Sequence, residues 1–102
     1  MSFDGTEGGE ITLALGAEYT DNYRTNNPNT RIAHFFGKDI LEEILEQDGC
    51  VGIRMYYGEQ SDGTKELVIV GADSSENDLT DLVADLSSPC QNRCSKPNAL
   101  NS

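Results

Sequence analysis

The stretch from Cys50 to Val70 constrains the fold of this chain more than any other. Val51, Ile53, Met55 and Tyr57 alternate with Cys50, Gly52, Arg54 and Tyr56, the period-two pattern of a strand with one face turned inward. Gly58 to Thr64 follows, with Asp62-Gly63 as its turn element, and then Lys65 to Val70, whose Leu67-Val68-Ile69-Val70 run is apolar on both faces. Two such runs joined through Asp-Gly predict a β-hairpin, and the doubly apolar strand belongs in the middle of its sheet.

The flanking segments are read around that hairpin. Lys38 to Gln47 carries Ile40, Leu41, Ile44 and Leu45 on one side and Glu42, Glu43 and Glu46 on the other, an amphipathic helix ended by Asp48-Gly49. Ile11, Leu15, Tyr19 and Tyr23 recur every four residues, which predicts a helix over 13–25 with Thr12 as N-cap and a stop at Asn26-Asn27-Pro28-Asn29. Arg31 to Phe36 reads as a strand. Leu79, Leu82, Val83 and Leu86 have helical spacing, with Ser75 as N-cap and Glu76 and Asp78 at the positive end. The expected architecture is α+β: a small antiparallel sheet of about three strands, including the 50–57/65–70 hairpin, packed with about three helices. Residues 1–10 read as a flexible arm, 11–86 as a single domain, and 87–102 as a polar tail carrying Cys90 and Cys94.

Charge narrows the function. Seven Lys and Arg stand against 18 Asp and Glu in 102 residues, a net charge of −11. Nucleic-acid affinity is built from Lys and Arg displacing counterions, so this balance argues against direct nucleic-acid binding and against an anionic membrane surface. No apolar run reaches the ~20 residues of a membrane span, and residues 1–10 lack the basic-then-apolar order of a signal peptide. A cytoplasmic location is expected. From Glu66 to Asn92 there are six acids and no Lys or Arg, and helical spacing would set Asp78, Asp81 and Asp85 on one stripe. Unpaired like charges at that density call for solvation or a basic partner. The expected function is a non-enzymatic interaction module whose acidic face recognises a basic protein partner, as an inhibitor or immunity protein does. Pairing with a second copy through a sheet edge, giving a homo-oligomer, is the variant of this reading.

The alternative is a thiol-redox or metal-binding protein using Cys90 and Cys94. Ser88-Pro89 resembles an N-cap followed by an N1 proline, so a helical turn there would bring the two sulfurs to one side. With Arg93 nearby, it would make Cys90 reactive. The residues leave three states open: a disulfide, free thiols, or a metal site completed by His34 or Cys50. Cys-x-x-x-Cys is not the Cys-x-x-Cys of redox enzymes, and three cysteines do not make a disulfide framework. Cys50 reads as a small buried side chain and His34 as a structural histidine on a face shared with Ile32 and Phe36. With a single histidine, no catalytic set and no cofactor are proposed.

Two near-motifs are set aside. Gly58-x-x-x-x-Gly63-Thr64-Lys65 transposes the Lys and Thr of a phosphate-binding loop and joins two strands instead of a strand and a helix. Asp73, Ser75, Asn77 and Asp78 resemble the start of a calcium loop, but Asp78 and Ala84 stand where the sixth-position Gly and twelfth-position Glu belong.

Phe36-Gly-Lys-Asp-Ile-Leu41, Cys50-Val-Gly-Ile-Arg-Met-Tyr-Tyr-Gly58, Leu67-Val-Ile-Val-Gly-Ala-Asp73, Asn77-Asp-Leu79 and Pro89-Cys-x-x-x-Cys94 together resemble a group of small uncharacterised bacterial proteins. The resemblance spans about residues 11–94. It implies that hairpin and Pro-Cys segment belong to one design, and it implies no activity or functional residue.

Overall fold

The alternating run becomes strand β2 (Cys50–Glu59), paired antiparallel with β3 (Lys65–Asp73), in the computed structural model, which describes residues 2–90 and 93–102. A third strand, β4 (Asp78–Ala84), pairs with the other edge of β3, so the order is β2-β3-β4 and the doubly apolar strand lies in the middle, as expected. Two helices, α1 (Leu13–Asn26) and α2 (Lys38–Leu45), and two short strands, β1 (Ala33–Phe35) and β5 (Ser88–Cys90), complete an α+β fold with two antiparallel sheets. The chain gathers into two compact units, one formed by Met1–Gly8 and Phe36–Ser87 and the other by Gly9–Phe35 and Ser88–Ser102. They are called the sheet unit and the disulfide unit below.

In the sheet unit, α2 lays its apolar stripe on the sheet. Ile44 from α2 and Ile69 from β3 are fully buried, Ala84 from β4 joins them, and Phe36, Ile40, Leu41, Ile53, Leu67 and Leu82 pack around this centre. Close approach of the helix end to β3 requires Gly71. A Cβ there would lie 2.9 Å from both Cys50 Sγ and Gln47 Nε2 and 3.2 Å from Ile44 Cγ2. α2 ends earlier than expected, with Glu46 as its C-cap, and Gly49, at φ +80°, is left-handed in the turn into β2 and does not cap the helix.

The expected third helix is a strand. Asp73 bends the chain back: its Oδ1 accepts from the Ser75 and Asn77 amides at 2.9 and 3.0 Å, and its own amide donates to Asn77 O at 3.0 Å. This side-chain-fixed turn, with Glu76 at φ +71°, directs β4 back alongside β3. Leu79 pairs with Gly71 and Val83 with Val70, so Thr80, Asp81 and Leu82 form an unpaired excursion of β4, with Thr80 and Asp81 exposed and Leu82 packed against the core. The helical spacing of Leu79, Leu82, Val83 and Leu86 is therefore coincidental; tertiary pairing and the β-branched Thr80 and Val83 prevail.

In the disulfide unit, Thr12 caps α1 by accepting from the Leu15 amide at 3.1 Å, as expected, and Asn27 closes the helix by donating to Tyr23 O. No residue of α1 is buried. The helical turn expected after Ser88-Pro89 runs through residues 91 and 92, which lie outside the described residues; Ser88, Pro89 and Cys90 themselves are not helical. They are extended in β5, where Ala33 pairs with Cys90, His34 with Pro89 and Phe35 with Ser88. The C-terminal segment is held by side chains bonding to main chain. Arg24 donates to Leu100 O and, at 2.9 Å, to Ser102 O, while Asn98 and Asn101 bond the backbone around them.

Among the described residues, no helix is long and apolar enough to cross a membrane.

Candidate functional site

Of the three states left open for Cys90 and Cys94, the structure has the disulfide, with Cα atoms 4.6 Å apart. The two sulfurs are placed differently. Cys90 sits in β5 and is 5% exposed, whereas Cys94 lies beyond the strand and is exposed. The Arg93 amide donates to Pro89 O at 3.2 Å. Because Ser88–Cys90 is extended, no helix N-terminus among the described residues points at Cys90. Of the two cysteines, Cys94 is the one exposed to solvent.

A cavity of about 350 Å³ lies against the disulfide, lined by Cys90, Cys94, His34, Arg93, Asn98 and Leu100 among others. Ile32, Phe35 and Leu100 are among its apolar lining residues, and among the described residues lining it none is Asp or Glu. The β1–β5 ladder is what brings His34 there. That neighbourhood is invisible in sequence, because the pairing joins a strand before the hairpin to one after it. A disulfide closing a loop of about five residues contributes only about 2 kcal/mol by chain entropy, against nearly 5 for a loop of about 100.

Cys50 is not part of such a centre. It packs beside Ile44 in the sheet unit, and its thiol donates to Gly52 O at 3.2 Å. Among the described residues no group of three or more His, Cys, Asp or Glu side chains is gathered for a metal ion.

The three acids of the expected stripe occupy three unlike settings. Asp78 accepts from Arg54 Nη1 and from the Tyr56 hydroxyl, both at 2.5 Å. The Tyr56 hydrogen bond and the Arg54 guanidinium hold the Asp78 carboxyl below its ordinary range. The same carboxylate raises the Tyr56 phenol and the Arg54 guanidinium above theirs. Asp81 is exposed on the β4 excursion, and Asp85 is half-buried, its Oδ1 without a hydrogen-bond partner among the described residues. The helical stripe of Asp78, Asp81 and Asp85 is lost with the helix that defined it.

Arg54 also lies over the Phe3 ring, 5.3 Å from its centroid, within cation–π range. Phe3 is tied in by its amide, which donates to Ser74 O at 3.1 Å. Behind it, Glu7 accepts from the Asp4 and Gly5 amides, and Asp4 accepts from Thr6, whose hydrogen bonds lower the Asp4 carboxyl. In the β2–β3 loop, Thr64 N donates to Asp62 Oδ1 and Lys65 pairs with Glu59 at 2.5 Å, an ordinary hairpin end. Asp73, first in the calcium-like set, spends its Oδ1 on the turn amides.

No protein-family model, no curated protein and no solved structure matches this chain.

Proposed function

We propose that this protein is a thiol–disulfide exchange module acting through Cys90 and Cys94. The observation that carries this reading is a short-loop disulfide with one buried and one exposed sulfur at the wall of a cavity. An external thiolate attacks Cys94 Sγ, the accessible end. The electron pair of the S–S bond passes to Cys90 Sγ, which leaves as a thiolate and takes a proton from solvent. A second external thiolate then attacks the incoming sulfur of the mixed disulfide and releases Cys94. The balance is protein disulfide plus two thiols giving protein dithiol plus one external disulfide. Run backwards, the same steps oxidise a dithiol partner. His34, in the cavity and half-buried, is the residue suited to exchange a proton with the leaving sulfur.

The test is reversible titration of the native protein in mixtures of a small dithiol and its disulfide, with thiols counted by alkylation. The expected result is two thiols appearing together and disappearing together without denaturant. A bond that yields to thiol only after unfolding would overturn the proposal and leave a purely structural bridge.

A further inference from the structure

Resting on that exchange reading, we infer that the cavity beside the disulfide takes a small thiol bearing a carboxylate, with Arg93 as the residue that holds the carboxylate. The volume, about 350 Å³, sits at the low end of small-ligand sites and fits a low-molecular-weight thiol rather than a protein loop. Eighteen Asp and Glu are carried by the chain, of which only Glu10, Glu18 and Asp21 belong to the disulfide unit, and among the described residues around the cavity there is no carboxylate. Arg93 is exposed at the rim, adjacent in sequence to the sulfur that an incoming thiolate must reach. A planar guanidinium is the side chain best shaped to receive a carboxylate. The Asn98 and Asn101 side chains line the same wall, and Leu100 supplies an apolar contact for the carbon chain between thiol and carboxylate.

The exchange itself is as above, with R–S⁻ carrying its carboxylate to Arg93 while its sulfur bonds Cys94 and Cys90 departs as thiolate. The overall charge of −11 makes the inference sharply testable, because the field of the whole protein favours a cationic reagent over an anionic one. The site assigned here favours the opposite order. Opening of the native disulfide is timed with three thiols of similar size: mercaptopropionate, mercaptoethanol and cysteamine, each rate divided by that of the same thiol with a small uncharged disulfide, which removes both thiolate fraction and intrinsic nucleophilicity. The expected order is anionic, then neutral, then cationic. A unit charge held about 6 Å from the carboxylate in a water-like medium is worth about threefold in rate. In Arg93→Gln the anionic advantage should vanish, and in wild type it should shrink in about 0.5 M salt. A cationic-first order, or an unchanged anionic advantage in Arg93→Gln, would overturn the carboxylate site while leaving exchange intact. Failure of all three thiols to open the native bond would overturn the exchange reading itself.

Discussion

The two units of this molecule are held together by different physics. The sheet unit carries fifteen Asp and Glu against three Lys and Arg, a net −12, while the disulfide unit carries three against four, a net +1. The sheet unit withstands its own repulsion because it has a core: Ile44, Ile69, Val70, Ala72 and Ala84 are all buried. Among the described residues the disulfide unit buries only Cys90. Its order rests on the Cys90–Cys94 bond, a three-residue ladder, and the hydrogen bonds of Arg24, Asn98 and Asn101. The difference teaches that the charge of −11 is a property of one unit, and that the disulfide belongs to the other.

Four changes break or sharpen this contrast. The largest effect belongs to the core. Ile69→Ala should cost about 3 kcal/mol, within the usual range for a fully buried isoleucine, measured as a shift in the urea midpoint; a loss below about 1 kcal/mol would mean the sheet unit is not core-dependent. Next, Cys94→Ser should cost about 2 kcal/mol and act locally. Hydrogen exchange should speed at the Ile32 and Arg93 amides, which bond to Cys90 O and Pro89 O, and stay slow at Ile69. Equal loss of protection in both places would dissolve the contrast. Third, raising salt from about 0.05 to 0.5 M should slow exchange throughout the sheet unit by screening its repulsion and leave the disulfide unit unchanged.

The smallest effect concerns Asp78. Its carboxyl titrates below its ordinary value in the folded chain because Tyr56 and Arg54 bond the charged form. The stability it lends is therefore present above the unfolded value near 3.9 and is lost as pH falls through the lower folded value. Asp78→Asn should flatten that part of the acid limb. In an ultraviolet titration it should also bring the Tyr56 phenol back down toward its ordinary value, since Asp78 is the first cause of its elevation. A Tyr56 titration unmoved by the substitution would contradict the pairing.

Local patterns were legible in the sequence wherever one segment decides its own fate. The hairpin, the central position of β3, the Thr12 cap and the amphipathic α2 all follow from periodicity and turn chemistry within a few residues. The failures are non-local. Leu79 to Leu86 satisfies a helical period as well as a strand, and the open edge of β3 decides between them. Ser88-Pro89 reads as a helix start, yet both residues are paired with β1. The candidate site was half legible for the same reason. The cysteine pair is visible at once, but which sulfur is exposed, and that His34 shares its cavity, depend on the β1–β5 ladder. Arg31 to Phe36 reads as a third strand of the hairpin's sheet; the strand is there, but it pairs with β5 in a second sheet, and β4 takes the place beside β3.

The central claim is that the Cys90–Cys94 bond exchanges with external thiols through Cys94. It is tested most directly by treating the folded protein with a limiting amount of a small thiol, quenching by alkylation, and mapping the peptides by mass spectrometry. The account predicts the thiol adduct on Cys94 and the alkyl group on Cys90. An adduct on Cys90, or an intact disulfide under native conditions, would contradict it.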